Sequence, residues 1–336
     1  MNKLFVLCLL VHTSAFAWDA LPQHASAPAE NPMTAQKIEL GKKLFFDPRI
    51  SADGTVSCNS CHNVMKSGDD GRPHSVGIQG KEGGRSAPTV WNAAFLSVQF
   101  WDGRAKSLEE QAKGPMINPV EMGNSSHEPV ISRILKVPGY VEEFKKAFPK
   151  EKDITIDHVA KAIATYERTL ITPNSPYDLY VRGNKKAMSA AAIRGMATVQ
   201  SVGCLSCHSG ANFSGPTLPE GVGFYQKFPR FPGSEYDKKY DLTSDSGRFQ
   251  VTKNPEDQNS WRVPTWRNIA LTAPYFHNGK VQSLDEAVRV MAKTQLNQDL
   301  KPEQVSDIVA FLESLSGKFP DQKMPRLPDI SGKAIY

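Results

Sequence analysis

The stretch SCNSCH at residues 57–62 returns as GCLSCH at residues 203–208. Nothing else in the chain restricts its fold as tightly. Each copy sets two cysteines three positions apart and follows them directly with a histidine, so Cys58, Cys61 and His62 form one set and Cys204, Cys207 and His208 another. Whatever the first set holds, the second is expected to hold again. The chain has five cysteines, and the remaining one, Cys8, lies in an apolar run near the N-terminus.

That run has its own meaning. Lys3 precedes LFVLCLLV, and the small-residue pattern Ala15-Phe16-Ala17 follows, which is the order of a secretory signal peptide, here cleaved before Trp18. The run is too short to remain as a membrane-spanning helix, and no later segment is apolar enough to span one. Residues 1–17 are therefore expected to be removed, leaving a soluble exported protein. Cys8 leaves with them, so every remaining cysteine belongs to one of the two motifs and none is left for a disulfide elsewhere.

Three chemistries compete for these motifs. Zinc uses Cys pairs, but the histidine beside each pair would then have no evident role. A thioredoxin-like redox pair needs a βαβ context, and no such pattern is present. In c-type haem attachment, two thiols add to the porphyrin vinyl groups and the following histidine ligates the iron. This last chemistry uses all three residues of each motif, and covalent attachment suits an exported protein. Two c-type haems are expected.

The formal charge of +5 comes from 40 Lys and Arg against 35 Asp and Glu. It is too small and too scattered to suggest nucleic acid as a partner, so any electrostatic docking must be local. Helical signals dominate. TIDHVAKAIATYERTL (155–170) carries Ile156, Val159, Ala160, Ile163 and Leu170 along one face. KPEQVSDIVAFLESLSG opens near Pro302 and ends at Gly317 with helical spacing throughout. MSAAAIRGMATVQSVGCLSCH reads as a helix that delivers the second motif. Runs of strand-like alternation are absent, and residues 66–90, 209–235 and 241–264 read as Gly/Pro-rich loops. The fold expected is all-α and loop-rich, with two haem domains. ITPNSPYDLYVRGN (171–184) has the composition of a linker, which places an N-terminal domain at 18–172 and a C-terminal domain at 173–336.

Internal symmetry sharpens this picture. PTVWNAAFLSVQFWDGRAKSLEE (88–110) aligns without gaps on PTWRNIALTAPYFHNGKVQSLDE (264–286) at an offset of 176, with nine of 23 positions identical. Each copy has a Phe-x-x-Gly turn and a Ser-x-x-Glu capping box opening a helix. The two halves therefore read as copies of one domain, and their differences should mark diverged function. Trp101 corresponds to His277. Met291 shares a helical face with Leu284, Ala287 and Val288 and is a candidate sixth iron ligand, since Met/His ligation raises reduction potential and suits electron transfer. Its counterpart is Pro115, which cannot ligate. The first half instead offers Gln111 and, in NPVEMG, Glu121. A carboxylate near an open haem iron can move a proton between the oxygens of bound peroxide while an amide orients it.

Taken together, the two Cys-x-x-Cys-His motifs, PTVWNAAFLSVQFWDGRAKSLEEQAKGP, NPVEMG and RNIALTAPYFHNGKVQSLDEAV resemble the bacterial dihaem cytochrome c peroxidases. The resemblance implies two cytochrome c-like domains in a periplasmic enzyme that reduces hydrogen peroxide. His208 and Met291 would ligate the high-potential haem that accepts electrons, and His62 the peroxide-site haem, with Glu121 and Gln111 beside it. Trp101 would be the aromatic stepping stone between them. The donor implied is a small soluble cytochrome c or copper protein, and the family's habit implies a homodimer. The family's calcium site would use Thr272 and Pro274, but Ser86 stands where its asparagine ligand belongs. The family's gating histidine is also replaced, by Ile78; His74, four residues earlier, would substitute only if the Gly-rich loop shifts register. The expectation is an open first site, with His74 a bystander. Two rival functions remain at this level: a dihaem electron carrier, and a relative that oxidises protein side chains. The second carries tyrosine where this chain has Met291.

Overall fold

The structure is a computed structural model and describes residues 18–330. The signal-peptide reading, on residues 1–17, lies outside the described residues. The described chain is helix-rich, as expected, and two helix pairs organise it. In the first half Ala35–Phe46 packs on Ile156–Glu167; in the second, Ala190–Val202 packs on Pro302–Glu313. Each pair has a glycine at its crossing. A Cβ on Gly41 would sit 1.8 Å from the carbonyl oxygen of Ala162, and one on Gly195 would sit 1.8 Å from that of Asp307. Any side chain there would force the helices apart.

Two cores result. The first gathers Leu40, Leu44, Phe45, Met116, Ile163 and Tyr166. The second gathers Tyr177, Val199, Phe213, Ile308, Phe311 and Leu312. The segments at the two ends of the described chain cross over. Trp18 packs on Tyr177, Phe213 and Phe311 of the second core. Phe319 packs edge-on against Trp91, and Ile330 against the first core.

Residues at the offset of 176 share local geometry. Asn92 and Asn268 both have left-handed backbone (φ 64° and 61°) and open short 3-10 turns, Ala93–Phe95 and Ile269–Leu271. Their side-chain amides donate to the same hydroxyl, Thr172 Oγ1, at 2.8 and 2.9 Å. Phe100 and Phe276 are also left-handed (φ 67° and 69°), and the isolated bridges Gln99–Ala105 and Tyr275–Val281 close the two turns.

Several local expectations need correction. The all-α reading omits a two-stranded antiparallel sheet, Tyr225–Lys227 with Ser260–Arg262. Its strands are three residues long, too short to show alternation, and the second is buried throughout. The linker composition of 171–184 conceals a helix, Pro176–Val181, on which Ser175 and Asp178 form a capping box. Only half of the Ser107 capping box forms: Glu110 N–H donates to Ser107 Oγ, but Glu110 Oε2 accepts from the N–H of Lys106, one residue before the N-cap amide. At Ser283 no side-chain cap bond forms, and Glu286 instead accepts from Tyr240 Oη at 2.6 Å and Lys239 Nζ at 2.9 Å.

The helix in the supposed linker also fixes the second half. Asp178 accepts from Arg267 Nη1 at 2.9 Å, with both side chains fully buried, and from the backbone N–H of Leu21 and of Ser175. Removing one partner strands a buried charge, so Asp178→Ala should cost about 3–5 kcal/mol. Thermal or urea unfolding of the haem-loaded variant measures this; a loss under about 1 kcal/mol would mean that the pair is dispensable.

Two candidate haem cavities

Each Cys-x-x-Cys-His segment ends in a cavity. The first cavity, about 710 Å³, is lined by Cys58, Cys61, His62, Gln111, Glu121 and Glu167 among others. The second, about 200 Å³ and mostly apolar, is lined by Cys204, Cys207, His208, Trp266, His277 and Met291 among others. Trp101 lines both and is the one described residue that does. Its indole Nε1–H donates to the carbonyl of Ser86 at 2.8 Å, which fixes the ring between them.

The two histidines are held alike. His62 Nδ1 lies 3.0 Å from Pro88 O, and His208 Nδ1 lies 3.0 Å from Phe213 O. A carbonyl only accepts, so Nδ1 carries the proton and Nε2 keeps its lone pair. Burial lowers both imidazole pKa values, that of His208 to about 4, so both rings are neutral at physiological pH. None of the four motif cysteines is paired in a disulfide. Burial raises the thiols of Cys61 and Cys204 to about 11 and raises Cys58 as well. These are neutral, apolar-lying thiols rather than a redox-active pair with a lowered thiol pKa. Among the described residues no group of three or more His, Cys, Asp and Glu is gathered as a metal ion would need, so the arrangement for zinc is not assembled.

A bound prosthetic group fits these cavities. Glu167 Oε2, in the first, and Trp261 Nε1 and His277 Nε2, in the second, are buried polar atoms without a partner. Such atoms are uncommon in a finished core. Two thiols and an imidazole with a free Nε2 border each cavity, as a haem joined through thioethers requires.

The residues singled out in the sequence fall as follows. Glu121 and Gln111 come together in the first cavity, Gln111 from the helix Leu108–Ile117 and Glu121 from the turn after it. Asn118 Nδ2 donates to Glu121 Oε1 at 2.8 Å, so Oε2 is the oxygen left for other work. Burial raises the Glu121 carboxyl pKa, and the positive charge of Arg104 partly offsets this. Met291, on the helix Leu284–Leu296, lines the second cavity with His208. His74 lines neither cavity, although its neighbours Ser75 and Gly77 line the first. Ile78 is buried in the first core, its N–H donating to Glu121 O at 2.9 Å. At the supposed calcium site the Ser86 hydroxyl donates to Arg72 O and the Ser86 carbonyl already accepts from Trp101. The shorter serine side chain is thus already engaged within the chain where the family has an amide ligand.

Sequence reasoning missed three residues here. Asn118 orients Glu121; its signal was the Asn-Pro turn in NPVEMG. Arg85 bridges the halves, pairing with Asp102 at 2.6 Å and Asp245 at 2.7 Å while lying 4.8 Å from the Trp261 ring centroid. Its partners are 17 and 160 residues away, beyond any local pattern. Trp266 stacks on His208 with ring centroids 4.3 Å apart and planes at 20°.

Two cavities, each bordered by a Cys-x-x-Cys-His segment and separated by one tryptophan, define a two-haem protein. Residues 35–186 match the family model described as di-haem cytochrome c peroxidase. The cytochrome c551 peroxidase of Pseudomonas aeruginosa is 45% identical over 320 residues, 95% of this chain and 90% of that protein. The cytochrome c551 peroxidase of Nitrosomonas europaea is 44% identical over 301 residues, 89% of this chain and 86% of that one. A solved MauG-like protein associated with microbial copper homeostasis superimposes with a TM-score of 0.78 at 26% identity, covering 90% of this chain and 96% of its own. The chain belongs to the di-haem cytochrome c peroxidase family.

Proposed function

We propose that this protein is an exported peroxidase that reduces hydrogen peroxide: H2O2 plus two electrons and two protons gives two waters. Electrons would come from a small soluble cytochrome c or copper protein. The observation that carries the reading is the asymmetry of the two cavities across Trp101: carboxylates, Glu121 among them, border the first beside Gln111, whereas among the described residues no carboxylate lines the second, which has Met291 beside His208. Haem bound through Cys58 and Cys61, and through Cys204 and Cys207, supplies the redox chemistry, with His62 and His208 as the histidine ligands.

The chain's own residues do the rest. Glu121 Oε2 takes a proton from the peroxide oxygen nearer it and returns it to the leaving oxygen. Asn118 keeps Oε1 occupied, so the exchange is confined to Oε2. The Gln111 amide orients the peroxide. Met291 Sδ caps the second cavity, keeping peroxide from that side and favouring electron uptake. Trp101 shortens the electron's route between the two sites. A methionine at position 291, where side-chain-oxidising relatives have tyrosine, argues for peroxide reduction over that alternative.

The shared geometry at an offset of 176 supports an origin by internal duplication, with the domains at 18–172 and 173–336 and the two end segments exchanged between them. No described helix is long and apolar enough to cross a membrane, which suits a periplasmic location once residues 1–17 are removed. A homodimer is the proposed assembly, and calcium is given no part.

Steady-state peroxide consumption by the haem-loaded protein, driven by a reduced small cytochrome c, tests the reading; a protein that exchanges electrons without consuming peroxide would be a carrier instead. Because His74 lies outside the cavity lining, His74→Ala should leave the oxidised spectrum and the peroxide rate unchanged. Conversion of a low-spin resting haem to a high-spin, faster enzyme by that substitution would make His74 the gate.

A further inference from the structure

His208 is the end member of a stack of aromatic rings. Trp266 lies nearly parallel to its imidazole (4.3 Å, 20°), and Phe213 lies nearly parallel to Trp266 (5.5 Å, 19°). Phe311 closes the stack edge-on at 6.4 Å from Trp266 and 86°. The carbonyl of the same Phe213 accepts from His208 Nδ1. One face of the imidazole and its Nδ1–H are therefore both held, and Nε2 is left for the cavity. Nothing comparable flanks His62. At the offset of 176 the residue matching Trp266 is Val90, and among the described residues no aromatic ring stacks on the His62 imidazole. The stack thus distinguishes the two otherwise alike histidine settings.

An indole offers more than bulk at this position. The face of an aromatic ring carries negative charge and attracts positive charge placed over it. An imidazole bound to iron is more positive when the iron is oxidised, so an indole face beside it favours the oxidised state. This effect opposes burial and thioether ligation, which raise the potential. We infer that Trp266 is a positioning residue for His208: its indole holds the imidazole plane and lowers the reduction potential of the second haem, so that an electron received there can be passed on. A second haem without this restraint would hold its electron too tightly.

The inference rests on His208 as an iron ligand. Redox titration and electron paramagnetic resonance of the haem-loaded Trp266→Leu and Trp266→Phe variants test it. Leucine keeps an apolar filling and removes the π face, so its second-haem midpoint should shift positive, with altered low-spin g-values as the ring plane is freed. Phenylalanine keeps a weaker face and should shift the midpoint in the same direction by less. An unmoved or lowered midpoint in Trp266→Leu, or an equal or larger shift in Trp266→Phe, would overturn the inference. Should Trp266→Leu not retain its haem, Trp266→Phe decides alone: a positive shift supports the inference, and no shift or a negative one overturns it. A parent protein without a histidine-ligated second haem would instead defeat the reading of His208 itself.

Discussion

Glu121→Gln should keep both haems and their potentials while slowing peroxide reduction by about 10²–10⁴-fold, the range expected when a general acid–base is lost. Glutamine has the same shape and still accepts from Asn118 through its amide oxygen, so the loop and the cavity should persist. What disappears is the ability of Oε2 to take and return a proton. The pH profile carries a second signature. The carboxyl must be ionised to accept the first proton, and burial raises its pKa. The acid limb of the peroxide rate should therefore lie above the ordinary glutamate value of about 4.3 and vanish in the variant. Rapid mixing of the variant with peroxide, followed at the haem bands, measures both. Unchanged kinetics would remove Glu121 from the reaction.

Met291→Leu should act at the other cavity. Leucine fills similar space without a thioether, so a structural role for Met291 would survive the change nearly intact. Loss of a sulfur ligand would not. Met/His ligation raises haem potential, and its removal should lower the second-haem midpoint and alter that haem's spectrum alone. For a one-electron couple, a fall of about 120 mV shifts the equilibrium for electron uptake about a hundredfold, and donor-driven turnover should fall with it. Peroxide reaction at the first haem, measured with a chemical reductant in place of the donor, should be far less affected. A variant whose second haem keeps its potential and spectrum would leave Met291 as a core residue.

Much of this site was legible because its chemistry sits in contiguous segments. Cys58, Cys61 and His62 are adjacent in sequence, as are Cys204, Cys207 and His208, and covalent attachment demands that spacing. Gln111 and Glu121 are one helix and one turn apart, so local reading could bring them together. The long helices were legible because their buried faces repeat at helical spacing; 156–167 and 302–313 lie within the stretches expected.

What escaped the sequence depends on contacts between distant segments. Arg85 reads as one basic residue in a glycine-rich loop; only folding brings it to Asp245 and the face of Trp261. The helix Pro176–Val181 was hidden because Pro, Asn and Ser also serve as helix caps, and its stability comes from a buried arginine 89 residues on. At Ser283 the expected box does not form, and Glu286 accepts from Tyr240 instead. Trp266 escaped because its stacking on His208 depends on ring orientation, which leaves no trace in spacing.

The central claim is a division of labour between two haems. A spectroscopic titration of the fully oxidised, haem-loaded protein with hydrogen peroxide tests it most directly. Expected is one high-spin haem, ligated by His62 and altered by peroxide, beside one low-spin haem, ligated by His208 and Met291, that does not respond. Two low-spin haems, both indifferent to peroxide in the oxidised and the half-reduced protein, would contradict it.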